Sequence, residues 1–354
     1  MFSRFKSSKS SEKKPLPTAM IEALAQLSSP YWPHGLPLEW VRLVDQKSAR
    51  LTLPFAADET VLVPFQQHPD LQHYQWSLAL NIAKLPNSQP ELPMTFGNVI
   101  VVSSGKGGVG KSSVSAQLAI ALHQLGATVG ILDADIYGPS LPTMLGGHNE
   151  QLEINPQNKM IPHRRHGIWV NSLGYLTDTK DAAIWRGPMA SAALQQLFRD
   201  TKWPRLDYLI VDMPPGTGDI QLTFAQKLPI TGAVIVTTPQ TVALADAEKG
   251  ITMFRKVGVP ITGLVENMSY YHCSHCGHQD AIFGEGGGVA VAAREQVPVL
   301  GQWPLDTRLR AALDEGHPWL VQHPDDPLSQ LMRASAAKLA SELYWQAHAK
   351  SMES

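Results

Sequence analysis

The run Ser103-Ser104-Gly105-Lys106-Gly107-Gly108-Val109-Gly110-Lys111-Ser112-Ser113 leaves few folds open to this chain. It follows an apolar stretch, Val99 to Val102, that reads as a buried strand. A helical pattern follows it, at Val114, Leu118, Ala121, Leu122 and Leu125. Strand, glycine-rich turn and helix, in that order, is the context of a phosphate-binding P-loop. Gly105, Gly107, Gly108 and Gly110, with Val109 between them, let successive backbone N–H groups face phosphate oxygens. The helix N-terminus adds a partial positive charge at Lys111, Ser112 and Ser113. Lys111 then reaches the β- and γ-phosphates of ATP, and the Ser112 hydroxyl takes Mg2+. Lys106 is a second cation that an ordinary P-loop does not require. The same glycines, Gly105, Gly107 and Gly110, also satisfy G-x-G-x-x-G, with Asp133 roughly 20 residues on, where a dinucleotide fold keeps its ribose-binding acid. The Lys111-Ser112 pair counts against that reading, because a pyrophosphate held by backbone alone has no use for it.

Composition sets outer bounds. At 354 residues one large domain and a smaller one are expected, and 44% hydrophobic with 17% charged residues fits a globular core. A net charge of −2 gives no electrostatic reason for a nucleic-acid partner, and no apolar run is long enough for a membrane span. Only two cysteines, Cys273 and Cys276, are present, so there is no disulfide framework and a cytoplasmic location is expected.

Four segments are expected along the chain. Residues 1–16 form a basic, serine-rich tail without the apolar stretch of a secretory signal; a solvated disordered tail is the expected reading, with a transit peptide the alternative. Residues 17–85 form a small α+β domain, with a helix over Met20–Leu27 and strands over Arg50–Leu53 and Thr60–Val63. A proline-rich linker covers 86–96. From 97 to 354 apolar strands (98–103, 128–133, 168–172, 208–212, 232–237, 261–266, 298–302) alternate with helical patterns such as 190–198 and 242–256. That alternation predicts an α/β domain, a doubly wound, mainly parallel sheet covered on both faces. Ligands in such sheets collect at the carboxyl ends of the strands.

The remaining motifs fall at those ends. Asp133 and Asp135, two apart, leave their strand on the same side. Beside a P-loop, Asp135 polarises the attacking water and Asp133 sits near the metal shell; turn capping is the structural alternative. Leu209-Ile210-Val211-Asp212 is a Walker B pattern, placing the Asp212 carboxylate on Mg2+. The Pro214-Pro215-Gly216 turn after it offers the Gly216 N–H to a γ-phosphate. Cys273-Ser274-His275-Cys276-Gly277 reads as a redox pair, a metal knuckle or an idle pair, with metal favoured. Two thiols are too few for a closed four-thiolate site. A two-fold dimer would bring four together, the number a [4Fe–4S] cluster takes; zinc on four thiolates, or on Cys273, Cys276 and neighbouring histidines of one chain, stays open.

From about Asn98 to Leu320 the chain closely resembles the Mrp/ApbC family of P-loop ATPases. The matching segments are SSGKGGVGKSS, LDADIYGPSLP, WRGPM, LIVDMPPGTGD, VTTPQ, VENMSYYHCSHCGH, IFGEGGG and WPLDTRLRAALDEG. The resemblance implies an ATP-hydrolysing iron–sulfur cluster carrier whose deviant Walker A loop is shared with MinD, ParA and the nitrogenase iron protein. It implies that Lys106 crosses a homodimer interface to the partner's phosphates and that Asn267 reads the adenine edge. Cys273 and Cys276 would bridge a labile [4Fe–4S] cluster between subunits, with apo iron–sulfur proteins and a cluster-assembly scaffold as partners. Residues 17–85 look like a diverged iron–sulfur-assembly domain. The rival class is a MinD/ParA-type dimerisation switch with structural zinc at the cysteines. Such a switch needs a basic amphipathic tail, and 328–349 has few cations; that helix is expected to pack on the core through Met332, Ala336, Leu339 and Leu343.

Overall fold

A computed structural model describes residues 15–89, 96–135, 138–147, 150–175, 187–273 and 275–353. The basic segment 1–14 lies outside the described residues. The chain divides into two compact units, Met1–Asn81 and Ile82–Ser354.

In the smaller unit, α1 (Thr18–Gln26), β1 (Val41–Leu43), β2 (Ser48–Leu53), α2 (Val63–Gln67) and β3 (Gln75–Leu80) build a three-stranded sheet in the order β1-β2-β3. β2 runs antiparallel to β1 and parallel to β3. Its core is aromatic: Phe65 lies 4.5 Å from Trp76 and 6.0 Å from Trp32, centroid to centroid. The strand expected over Thr60–Val63 is instead a helical turn, Glu59–Leu62, running into α2. Two local signals outweigh the β-branched run. The Asp58 carboxylate accepts from Thr60 N at 3.0 Å as an N-cap, and Pro64 occupies the first helical turn, where its missing N–H costs nothing.

The larger unit carries β4 (Phe96–Ser103), α3 (Lys111–Gln124), β5 (Val129–Asp133), α4 (Leu141–Met144), a small hairpin of β6 (Glu153–Ile154) and β7 (Met160–Ile161), β8 (His163–Arg165), β9 (Ile168–Ser172), α5 (Gly187–Asp200), β10 (Leu206–Asp212) and α6 (Asp219–Lys227). It continues through β11 (Gly232–Thr237), α7 (Thr241–Lys256), β12 (Ile261–Glu266), a second hairpin of β13 (Tyr271–His272) and β14 (Gln279–Asp280), α8 (Gly287–Arg294), β15 (Val299–Gln302), α9 (Thr307–Asp314), α10 (Trp319–Gln322) and α11 (Pro327–Glu353).

The main sheet has eight strands in the order β15-β12-β11-β4-β10-β5-β9-β8, parallel throughout except for β8 at its edge. This is the doubly wound α/β sheet that the sequence predicts. Strands such as Val99–Val102 and Leu209–Val211 are fully buried because helices cover both faces. α3 and α11 pack together on one face, and α5, α6, α7 and α8 form a row on the other. Met332, Ala336, Leu339 and Leu343 of α11 are buried, as expected. Among the described residues no helix is long and apolar enough to cross a membrane.

The proline-rich stretch is strapped to this unit as far as residue 89. Ser88 N donates to Ile230 O at 2.9 Å, Ser88 Oγ donates to Leu228 O at 2.9 Å, and Leu85 N donates to Asn98 Oδ1 at 3.0 Å.

The topology fixes the site. β4 lies between β10 and β11, and the loop leaving it connects to β5, two strands away. The strand order reverses there, so the crevice opens above the ends of β4 and β10.

Candidate functional site

β4 hands over to α3 through Ser104–Gly110. Gly110, at φ +80°, forms the left-handed cap of the helix, a conformation that strains any residue with a side chain. Gly105 is required for a different reason. A Cβ there would collide with the backbone carbonyl of Asp246, against which α7 holds the loop.

Four polar side chains converge beneath the loop. The parallel register sets Asp212 beside Val102 on one side and Asp133 on the other. Asp212 is fully buried. Its Oδ1 pairs with Lys111 Nζ at 2.7 Å and accepts from Ser115 Oγ at 2.7 Å, while Oδ2 accepts from Ser112 Oγ at 2.6 Å. Lys111, Ser112 and Asp212, expected to share one phosphate–metal site, are therefore in direct contact. The hydroxyl and the carboxylate are hard oxygen donors on one side of the loop, a pair suited to Mg2+ with water completing the shell. Ser115 had no role in the sequence reading. Its signal is a serine four residues beyond Lys111, on the face that α3 turns to the sheet.

Asp133 is fully buried one strand further over. Its Oδ1 accepts from Asp135 N at 3.1 Å, and its Oδ2 accepts from Leu141 N and from Ser172 Oγ, both at 3.1 Å. Burial first, then the neighbouring charge of Asp212, pushes its carboxyl up to about 7, against the lowering pull of Lys111 and the two backbone amides. Asp135, whose N–H is held by that carboxylate, is half-buried.

The Gly216 N–H, expected to face a γ-phosphate, donates to Ser104 O at 3.0 Å, so the turn after β10 is tied to the P-loop itself. Lys106 lies in the same loop, half-buried, and Ser104 Oγ donates to its carbonyl at 2.9 Å. Asn267 follows β12; its Nδ2 donates to Val109 O at 2.9 Å, which leaves Oδ1 as the free end of the amide. Beside it opens a cavity of about 300 Å3, bounded by α3 (Gly110, Ser113), Asn267 and the 303–314 segment (Trp303, Leu309, Arg310).

Cys273 and Cys276 lie at the tip of the β13–β14 hairpin. Cys273 N donates to His278 O and Gly277 N donates to Cys273 O, both at 2.9 Å, closing a tight turn under the thiols. The N–H groups of His275 and Cys276 and the Cys276 thiol point at Cys273 and hold its thiol below the ordinary cysteine range. Cys273 is half-buried and Cys276 exposed. Among the described residues no group of three or more His, Cys, Asp or Glu side chains converges as a metal site.

Residues 95–340 match the family model for ParA: NUBPL iron-transfer P-loop NTPase. A Haemophilus influenzae iron-sulfur cluster carrier protein is 51% identical over 312 residues, covering 85% of this chain and 84% of the relative. The Escherichia coli protein of the same name is 54% identical over 273 residues, covering 77% and 74%. Among solved structures, a nucleotide-binding protein from Archaeoglobus fulgidus in complex with ADP superposes with a TM-score of 0.58 at 35% identity, over 67% of this chain and 93% of that one. The cell division ATPase MinD of Pyrococcus furiosus, at 23% identity and a TM-score of 0.54 over 71% and 99%, shares the fold. On sequence, fold and the arrangement around Lys111 alike, the chain belongs to the ParA/NUBPL family of iron-transfer P-loop NTPases.

Proposed function

We propose that the protein is an ATP-binding and ATP-hydrolysing homodimer that carries a labile [4Fe–4S] cluster between its subunits and transfers it to apoproteins. One observation carries the cargo assignment: two thiols at an accessible hairpin tip, ordered by N–H groups, with no third ligand beside them among the described residues. Four thiolates then require a second copy of the chain, and a two-fold axis supplies them. The relatives named iron-sulfur cluster carrier protein support the same cargo.

In the nucleotide site, Lys111 exchanges Asp212 for the β- and γ-phosphates. Ser112 and Asp212 hold Mg2+, which supplies charge neutralisation on the phosphate oxygens. Asp135 orients the attacking water, on a turn kept in place by Asp133 behind the metal shell. Asn267 accepts from the adenine amine through its free Oδ1, and Lys106 reaches the partner's phosphates. The Gly216 N–H turns to the γ-phosphate only by leaving Ser104 O, which makes that hydrogen bond the switch between nucleotide states.

The test is the iron, sulfide and zinc content of anaerobically prepared protein, native beside Cys273→Ala, with cluster transfer to an apo-ferredoxin followed by circular dichroism. Near-stoichiometric iron and sulfide per dimer, lost in the variant, is expected. Undiminished iron and sulfide in Cys273→Ala would remove the bridging assignment. Transfer as fast in Lys111→Ala as in the native chain would remove the role of nucleotide.

A further inference from the structure

Gln117 stands out among the buried polar side chains of α3. It is 1% exposed, and neither its Oε1 nor its Nε2 has a hydrogen-bond partner. It lies one turn beyond Ser113 on the same helix face and lines the cavity bounded by Gly110, Asn267 and Trp303. A buried carboxamide without partners is a cost to the fold unless something in that cavity answers it.

The polar groups around the cavity say what that is. Asn267 spends one Nδ2 hydrogen on Val109 O, which fixes the orientation of its amide and leaves Oδ1 as the acceptor it offers. An acceptor selects an exocyclic amine and repels a carbonyl oxygen at the same position. On a purine, the atom beside a 6-amino group is a ring nitrogen acceptor, which needs a donor. Gln117 Nε2, buried and without a partner, is an uncommitted donor on the cavity wall.

We infer that Gln117 is a base-reading residue: its carboxamide donates to a ring nitrogen of a 6-aminopurine while Asn267 accepts from the amine. The pair then disfavours guanine, whose O6 faces the Asn267 oxygen and whose N1–H faces a donor. This inference rests on the reading that the cavity holds the nucleoside of ATP.

The experiment is calorimetric titration of the full-length protein with ADP, GDP and 2′-deoxy-ADP, with thermal melting in the absence of nucleotide. The native chain is compared with Gln117→Leu and with Gln117→Met as a second apolar replacement of similar length. Expected are a roughly tenfold loss of ADP affinity, an ADP-over-GDP preference reduced about fivefold or more, and unchanged discrimination against 2′-deoxy-ADP. The nucleotide-free melting temperature stays level or rises, because the unanswered amide has gone. Affinity and melting temperature falling together would make Gln117 a packing residue and overturn the inference. Unchanged ADP affinity and an unchanged ADP:GDP ratio, or a loss appearing in the 2′-deoxy comparison instead, would overturn it as well. If the native chain bound no ADP, the nucleoside reading itself would fall, and this inference with it.

Discussion

Asp133→Asn tests the electrostatics beneath the P-loop. The native carboxyl rises from 3.8 to about 7, chiefly through burial and then through Asp212. Between about pH 4 and pH 7 the folded chain therefore holds a proton that the unfolded chain has released. The stability this proton supplies is fully present below the unfolded pKa and is lost as pH rises through the folded one, at up to about 1.4 kcal/mol per pH unit. Over the whole shift the loss is about 4 kcal/mol. Asparagine has no such dependence, but its NH2 must face Leu141 N or Asp135 N, both donors. One donor is then left unanswered, at about 1–3 kcal/mol. The variant is thus the weaker protein in mild acid and gains on the native chain by about 3 kcal/mol from pH 5 to pH 8. The assay is the urea dependence of amide exchange in β5 and β10, at half-unit pH steps, read by mass spectrometry. If the two stability curves ran parallel within about 0.5 kcal/mol across that range, Asp133 would not be the titrating group, and the account of its burial would be wrong.

Two further substitutions probe the loop. Lys111→Ala leaves Asp212, fully buried, without its counter-ion, so a stability loss of about 3–5 kcal/mol is expected in thermal melts, along with loss of ADP binding in calorimetry. Loss of binding alone, with an unchanged melt, would mean that the Lys111–Asp212 pair contributes nothing to the folded state. Gly105→Ala and Gly107→Ala should separate cleanly: a methyl on Gly105 meets the Asp246 backbone, whereas one on Gly107 meets nothing within 4 Å. In melts without nucleotide the first costs about 1–3 kcal/mol and the second stays within about 0.5 kcal/mol; equal effects would refute the packing of the loop on α7.

What the sequence disclosed was whatever chemistry writes locally. The lysine, serine and glycines of the P-loop stand in one run, and Asp212 ends an apolar strand whose parallel pairing with β4 delivers it under that loop. The two cysteines sit three apart on a hairpin, where a linear motif and its three-dimensional form nearly coincide. Partners set by tertiary packing stayed hidden. Ser115 meets Asp212 only because α3 lies flat on the sheet, and the cavity wall at 303–314 closes on Asn267 only after β15 has joined β12. Asp133 was read toward the metal, yet its oxygens are taken up by two backbone amides and Ser172, and Ser172 belongs to a neighbouring strand. In the smaller unit, Thr60–Val63 misled because β-branched propensity is a weak prior beside an Asp N-cap and a proline in the first helical turn.

Glu266 is the clearest of these hidden residues, and its position leads to a last expectation. It ends β12, is fully buried, and accepts from Ser269 Oγ, from Gly288 N at the start of α8 and from Gln302 Nε2, the last at 3.0 Å. Its own carbonyl takes Trp303 N at 2.9 Å, and Ser269 N donates to Trp303 O at 2.8 Å. Asn267 on one side of this knot is bonded to the P-loop, and on the other side Tyr271 begins the hairpin that holds the thiols. Removing the carboxyl group in Glu266→Ala strands two buried donors, Ser269 Oγ and Gly288 N, at about 1 kcal/mol or more each, whereas the exposed Gln302 amide keeps Ser269 Oγ, so a loss of about 2 kcal/mol is expected. The loss should be local. Amide exchange should accelerate across 267–272 and the first turn of α8, while α3 and β5, which share no hydrogen bond with Glu266, keep their protection. Uniform acceleration through the larger unit would make Glu266 an ordinary core residue. Confinement to those two segments would identify it as the mechanical joint between Asn267, which is bonded to the P-loop, and the cysteine hairpin, the two places that the proposed function has to connect.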